Sequence, residues 1–206
     1  GGGDATVDLT EECAGKHVSL HLAQAQECFY DKAATDGKSA GILVKLAQQT
    51  HLFYEEVKTA LASPPLSEHF EKSWSAHVAA KDAMFHAEAL SRAAKMAEED
   101  AEDIGSAVAR LLVASTELHA AHRLAKNTGG ISVHCVGAVA TLRDAVDEQL
   151  RRAQRDNECV YMERVPAYED VAPLGAAAVV KAVRPSAEAV DASAEDMFAA
   201  IVPESG

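Results

Sequence analysis

Turn-forming residues divide most of this chain into long segments in which apolar residues recur once per helical turn. "TDGKS" at 35–39, "SPP" at 63–65 and "NTGG" at 127–130 mark three of the boundaries, because Asp-Gly and Gly-Gly tolerate left-handed backbone and proline clashes inside a helix. "EEDAED" at 98–103 is either a charged junction or the acidic first turn of a helix. The segments are rich in Ala and Leu and poor in aromatic residues, which favours helix. The sequence therefore predicts an all-α fold of long antiparallel helices with short connections.

Five helices are predicted, followed by a segment without helical periodicity. Their expected bounds are Thr10 to the turn at 35–39, Ala40 to Leu61, Ser67 to Glu98, the 98–103 junction to Lys126, and Ser132 to Arg155. Beyond them, prolines at 166, 173 and 185 interrupt any helical stripe, so we expect an extended segment that crosses the helices. "SAEDMFAAIVP" at 193–203 predicts a short final helix.

Two of the helices carry stripes that bear on function. Helix one has a single apolar stripe of Val18, Leu22, Ala25, Phe29 and Ala33. Helix two has a main stripe of Leu43, Ala47, Thr50, Tyr54, Val57 and Leu61, and a second stripe of Ile42, Leu46 and Phe53 about 80° away. The combined apolar arc of helix two is wider than a surface helix needs to cover one core.

Charge and cysteine content narrow the function classes. A formal net charge of −13 is unlike the basic stripe of a nucleic-acid binder and argues against polybasic attachment to an anionic membrane. The start "GGGDATVDL" has no basic segment followed by an apolar one, so no signal peptide is expected. No apolar run reaches the roughly 18 residues of a transmembrane helix. The start "GGGD", without Met, suggests a fragment. The four cysteines, at 13, 28, 135 and 159, lack CxxC spacing and are expected to be reduced and mostly buried in a cytosolic protein.

A search for catalytic chemistry finds no enzyme signature. His17 with His21, and His119 with His122, have spacings that can hold zinc, but each pair lacks a third ligand. Cys28 lies two helical turns, about 10 Å, from His21, which is too far for a base to activate a thiol. We therefore expect no enzyme, no metal and no cofactor. A metal-dependent enzyme built on the histidine pairs is the alternative, and it predicts bound zinc or iron.

The turn at 35–39 brings three apolar residues together. If it joins antiparallel helices, Phe29 lies level with residue 44 of the second helix, between Ile42 and Leu46. Phe29 belongs to the main stripe of helix one, which favours ordinary core. The second stripe of helix two favours an exposed patch that docks a partner helix. The pattern leaves both alternatives open.

Five stretches together resemble one family. They are "LAQAQECFYDKAATDGKSAGILVKLAQQ" at 22–49, "IGSAVARLLVASTEL" at 104–118, "MFAAIVP" at 197–203, "DNECVYMERVP" at 156–166 and "PLGAAAVVKAVRP" at 173–185. In order and spacing they are similar to the BRO (Bro-one) domain of ALIX-like endosomal adaptors, tyrosine-phosphatase-like relatives and rhophilins. The last two match its DN-x-x-Y-x-x-RVP and P-x-G-x-x-x-VK runs.

The resemblance implies that residues 1–206 are the C-terminal portion of a BRO domain, a curved, solenoid-like all-helical array. It implies helical hairpins at about 10–155, an extended closing segment at about 156–190 and a terminal helix at about 193–203. It also implies a cytoplasmic, endosome-associated adaptor whose membrane association is indirect. Members bind the C-terminal amphipathic helix of an ESCRT-III subunit of the charged multivesicular body type, in endosomal sorting and membrane scission. A rhophilin-like small-GTPase effector scaffold is the alternative function.

Specific residues follow from the resemblance. The family's central hydrophobic contacts fall on Phe29, Ile42 and Leu46, the residues that hairpin geometry also brings together. Lys32 and Lys45 flank them and are expected to meet acidic residues of the partner.

Two further positions match or depart from the family. Tyr161 matches a tyrosine that is kinase-linked in some members, and packing of the closing segment is its other expected role. Cys28 replaces a more usual aliphatic residue and leaves the patch apolar.

Overall fold

The computed structural model describes residues 11–64, 71–100 and 103–183. Five α-helices run through these residues: α1 (Glu11–Thr35), α2 (Ala40–Ala62), α3 (Lys72–Asp100), α4 (Ile104–Asn127) and α5 (Val133–Asp156). The described residues contain no strand, and the predicted all-α fold is confirmed. The final helix predicted at 193–203 lies outside the described ranges.

Local signals account for where the helices begin and end. Asp103 caps α4 by accepting a hydrogen bond from the amide of Ser106 at 3.0 Å, and Ser132 caps α5 by accepting one from His134 at 3.1 Å. Such caps satisfy amides that have no partner within the helix. The acidic stretch at 98–103 therefore contains the end of α3 and the cap of α4. Gly37, with φ of 66°, takes the left-handed conformation that ends α1.

Consecutive helices pack against each other, and α3 lies in the middle, in contact with α2, α4 and α5. One core cluster joins α1, α2 and α3 around Tyr54, Val57 and Phe85. The other joins α3, α4 and α5 around Leu90, which is fully buried. Much of both clusters is alanine, which lets helix backbones approach closely. Within the described residues, no helix is long and apolar enough to cross a membrane.

The buried face of α1 is not the predicted stripe. The buried residues are Ala23, Gln26, Tyr30 and Ala33. Three of them are displaced by one position from Leu22, Ala25 and Phe29, a rotation of about 100°. The prediction is wrong because the apolar count ignored the buried Gln26 and placed Phe29, rather than Tyr30, on the buried stripe. The main stripe of α2 is confirmed, since all six of its residues are buried.

The cysteine prediction is also wrong for two of the three described cysteines. Cys135 is buried, whereas Cys28 and Cys159 are exposed. Cys28 lies between Gln26 and Tyr30 in sequence but on the outer side of α1, as the rotated face requires. Cys159 lies in an exposed π-helical turn, Asn157–Tyr161, that follows α5.

The "DNECVYMERVP" stretch folds into a compact reversal of the chain. The side chain of Asn157 donates to the carbonyl of Glu163 and accepts from its amide, both at 2.9 Å. Met162 takes the left-handed conformation between them, with φ of 54°. The carboxylate of Glu163 then accepts from the amide of Gly105 at the start of α4, at 2.8 Å. These bonds fix the direction in which the chain leaves α5.

From this reversal the chain runs back over the helices to the end of the described residues at 183, in extended form as predicted except for one 3₁₀ turn at Tyr168–Asp170. We call residues 172–179 the strap. Arg110 of α4 donates to the carbonyl of Ala172 at 3.3 Å, and Leu174 packs against both core clusters. The amide of Ala177 donates to the carbonyl of Lys45 in α2 at 3.1 Å. The strap therefore ends beside the α1–α2 hairpin.

Candidate partner-binding groove

All five predicted partner-binding residues line one surface depression, of about 430 Å³, at the turn end of the α1–α2 hairpin. Phe29 and Ile42 are 49% and 47% exposed, while Leu46 is only 7% exposed and belongs to the core. The other lining residues are Ala33, Asp36, Lys38, Ala177 and Val179. We call this depression the groove. It has an apolar floor continuous with the core and exposed apolar side walls.

The hairpin turn sets the register that assembles the groove. The amide of Asp36 donates to the carbonyl of Lys32 at 2.8 Å, and the amide of Lys38 donates to that of Ala33 at 3.0 Å. This tight turn places Phe29 opposite the first turns of α2. Phe29, Ile42 and Leu46 therefore lie together, as the turn predicted. The structure divides them between the two alternatives, with Leu46 in the core and Phe29 and Ile42 at the surface.

Two groove residues were not predicted from the sequence. Ala177 and Val179 of the extended segment form the groove's third side. Nothing local in the sequence indicates where an extended segment docks on helices that precede it by more than a hundred residues. The signal that bears on it is Gln26, a polar residue on the buried face of α1, whose side chain binds the backbone of both residues.

The groove rim is basic although the chain is strongly acidic. Lys32, Lys38 and Lys45 line it with a single acidic residue, Asp36, whereas the whole chain has a formal net charge of −13. Lys32 and Asp36 pair at 3.4 Å, but both side chains are well exposed and such a pair contributes little to stability. An apolar floor within a lysine rim fits an amphipathic segment that carries acidic residues beside its apolar face.

His119 and His122, one of the two pairs considered for metal, are engaged in other contacts. Nε2 of His119 lies 2.9 Å from a carboxylate oxygen of Asp147, and Nδ1 of His122 lies 2.7 Å from Nη1 of Arg143. Desolvation and the Arg143 charge lower the pKa of His122. In the part of the chain that the structure describes, no three His, Cys, Asp or Glu side chains are grouped as metal ligands would be.

A cavity of about 320 Å³ lies between α2, α3 and α4, and several charged and histidine side chains line it. The rings of His51 and His86 stack there with centroids 4.2 Å apart. His51 and Lys58 both hydrogen-bond the carboxylate of Asp82, and His86 lies 2.7 Å from that of Glu117. Burial opposes ionisation of Asp82, but the bonds from His51 and Lys58 outweigh it and lower the pKa of this carboxyl. The cluster ties three helices together, and the sequence reasoning missed it.

Tyr161 lies away from the groove, at the end of the π-helical turn after α5, and its side chain is 40% exposed. Its predicted roles, as a phosphorylation site or in packing, remain predictions.

Comparison with known proteins gives a consistent result. A family model described as "BRO1-like domain" matches residues 3–205. The chain is 37% identical over 204 residues to "Vacuolar-sorting protein BRO1" of Arabidopsis thaliana, covering 99% of this chain and 24% of that protein. It is 30% identical over 203 residues to human "Tyrosine-protein phosphatase non-receptor type 23", covering 96% of this chain and 12% of that protein. The chain thus spans a minor part of each curated relative.

Among solved structures, the "ALIX BRO1 CHMP4C complex" resembles the chain with a TM-score of 0.75 and 26% identity. The match covers 89% of this chain and 48% of that one.

Proposed function

Since this chain belongs to the BRO1-like domain family, we propose that it is an adaptor module of endosomal sorting whose groove binds the C-terminal amphipathic helix of an ESCRT-III subunit. The observation that carries the proposal is the groove itself. It combines two half-exposed apolar side chains, a core residue as floor and a rim of three lysines.

The relatives support the cellular role. The Arabidopsis relative is named for vacuolar sorting, and the similar solved structure is a complex of an ALIX BRO1 domain with CHMP4C. We infer by similarity that this chain acts in the cytoplasm at endosomes and takes an ESCRT-III subunit of the CHMP4C type as its partner. Its acidic charge supports membrane association through partners rather than by direct contact.

The shape of the groove supports a helical ligand. A partner helix presents apolar residues at i, i+3 and i+4, which form a ridge narrow enough for a shallow depression between two helices. Phe29 and Ile42 offer contact on either side of such a ridge, and Leu46 closes the bottom. Lys32 and Lys45 line the same groove, and we propose that they meet acidic residues that flank the ridge.

An adaptor role is proposed in place of catalysis. The BRO1-like domain is a scaffold fold, and the similarity to the human phosphatase lies in that protein's BRO1-like domain. The phosphatase activity named for that protein is therefore not carried over to this chain.

Calorimetric titration tests the proposal. A peptide of the CHMP4C C-terminal helix is titrated into wild type, Ile42→Asp and Leu52→Asp. Leu52 lies on the same helix and is 39% exposed, but it does not line the groove. Truncating an apolar anchor typically costs more than about 1–2 kcal/mol of binding free energy, so we expect Ile42→Asp to weaken binding by at least about tenfold.

Leu52→Asp should bind like wild type. Equal affinities for Ile42→Asp and wild type, with helix content unchanged by circular dichroism, would refute the site. Failure of wild type to bind the peptide at all would refute the proposed partner.

A further inference from the structure

Gln26 is a polar residue with no solvent exposure on the inner face of α1. Its side-chain amide donates to the carbonyl of Ala177 at 2.9 Å, and its side-chain oxygen accepts from the amide of Val179 at 3.1 Å. One side chain thus binds the strap backbone twice, much as a neighbouring strand would. An apolar residue of similar size would fill the same space but would leave both backbone groups without these partners.

The strap is held from the second helix as well. The amide of Ala177 donates to the carbonyl of Lys45 at 3.1 Å, so α1 and α2 bind the strap at the same place. Both Ala177 and Val179 line the groove beside Phe29 and Ile42. Val179 is 51% exposed, which means that its side chain is largely available for contact with a ligand.

An extended segment has no internal hydrogen bonds, so its position depends on bonds to its neighbours. At the groove, the bonds to the strap come from Gln26 and from the backbone of Lys45. The Lys45 carbonyl is present whatever side chain stands there. Gln26 is therefore the side chain on which the position of this wall depends.

We propose that Gln26 is a positioning residue for partner binding, which fixes the strap as the third wall of the groove so that Val179 contacts the bound helix. This inference rests on the proposed function of the groove. The five residues predicted for the site all belong to the α1–α2 hairpin, and the inference adds the strap to them. It also makes partner affinity depend on the position of the strap.

The test is again calorimetric titration of the 206-residue chain with the CHMP4C C-terminal helix peptide. Gln26→Leu removes both strap bonds while keeping the volume of the side chain. Val179→Asp places a charge on the exposed wall, where it does not threaten the core. We expect each variant to weaken binding by about fivefold to twentyfold, in the range of a lost interface contact.

Two matched controls accompany these variants. Gln24→Leu makes the same chemical change at a residue that is exposed and outside the groove. Val183→Asp places the same charge on the extended segment beyond the groove, at a residue that is 76% exposed. Both should bind like wild type.

A double-mutant cycle separates positioning from general destabilisation. If Gln26 acts through the strap, the effects of Gln26→Leu and Val179→Asp on affinity are not additive. The dissociation constant of the double variant should then exceed that of the weaker-binding single variant by about twofold at most. Amide hydrogen exchange supplies a local readout. In Gln26→Leu, exchange should rise at Val179 while the amides within α2 and α3 keep their wild-type protection.

The outcomes distinguish this inference from the proposal beneath it. Weak binding by Ile42→Asp together with wild-type binding by Gln26→Leu or by Val179→Asp overturns the strap inference and leaves the groove as the site. Fully additive effects in the cycle also overturn it. Wild-type binding by Ile42→Asp refutes the proposed function itself, and the strap inference falls with it.

Discussion

Phe29 and Tyr30 are adjacent aromatic residues that lie in opposite environments. Phe29 is 49% exposed in the groove, whereas Tyr30 is 6% exposed and meets Phe85 edge-on with ring centroids 5.5 Å apart. The hydroxyl of Tyr30 also donates to Glu88. Burial and the Glu88 carboxylate raise the pKa of Tyr30 well above its usual range. The hydroxyl of the buried Tyr30 therefore has a hydrogen-bond partner. The ring of Phe29, which has no polar atom, lies in the groove.

Lys45 provides a test of the basic rim. We expect Lys45→Glu to slow association with the CHMP4C helix peptide by about threefold to tenfold at low salt, because rim charges act mainly on the association rate. The difference from wild type should shrink at high ionic strength, where the Debye length is about 3 Å. Stopped-flow binding across a salt series measures this effect.

The control for this test is Lys95→Glu. Lys95 lies on α3 outside the groove, with its side chain 71% exposed. If Lys95→Glu slows association as much as Lys45→Glu does, the effect comes from net charge and not from the rim.

The buried carboxylate of Asp82 makes a contribution to stability that depends on pH. Asp82 is 4% exposed, and its carboxylate accepts hydrogen bonds from His51 and Lys58 that lower its pKa against the opposing effect of burial. A carboxyl whose pKa is lowered on folding stabilises the protein above its unfolded pKa, near 4, and this contribution is lost as pH falls through the folded value. We expect Asp82→Asn to lower the free energy of unfolding by about 2 kcal/mol at pH 7.

The difference in free energy of unfolding between wild type and Asp82→Asn should decrease progressively below about pH 4. Urea unfolding between pH 2.5 and 7 measures it. Asp144→Asn is the control, since the Asp144 side chain is 67% exposed and its pair with Arg143 contributes little. A deficit for Asp82→Asn that stays constant across this range would contradict the assigned ion pairs.

At the scale of elements, local signals and long-range contacts differ in how far the sequence reveals them. The turns depend on neighbouring residues, and the main stripe of α2 depends on apolar residues that recur once per helical turn, so the helices could be predicted. The rotation of α1 could not, because the burial of Gln26 depends on Ala177, which lies 151 residues away. A buried polar residue satisfied by a distant backbone looks like a surface residue in the sequence pattern.

The close approach of α4 to the chain reversal gives a prediction for Gly105. A Cβ at this position would lie 2.4 Å from the carbonyl oxygen of Arg164, so a side chain forces the reversal away from α4. We expect Gly105→Ala to lower the free energy of unfolding by about 1–3 kcal/mol, as overpacking does.

Gly137→Ala is the matched control, because a Cβ at Gly137 meets nothing within 4 Å. It should stabilise α5 by about 0.5–1 kcal/mol through helix propensity. Chemical denaturation of the three proteins measures both changes. Stabilisation by Gly105→Ala would contradict the described packing of the reversal.

At the scale of the whole molecule, the groove is a basic, apolar site on an acidic helical array. Its hairpin half could be predicted from the sequence, because the turn at Asp36 and Gly37 sets the register of Phe29 against Ile42 and Leu46. Its strap half could not, since an extended segment carries no periodicity that points to its docking surface. The polar cluster at Asp82 was missed for a related reason, because it joins helices whose relative rotation the pattern does not define.

The most direct test of the central claim is amide chemical-shift mapping of the 206-residue chain on addition of the CHMP4C C-terminal helix peptide. The account predicts that the shifted amides cluster at the turn end of α1 and α2, around Phe29, Ile42 and Leu46, and extend to the strap near Val179. Shifts that cluster on another face, or no shifts at saturating peptide, would contradict the assignment of this groove as the partner-binding site.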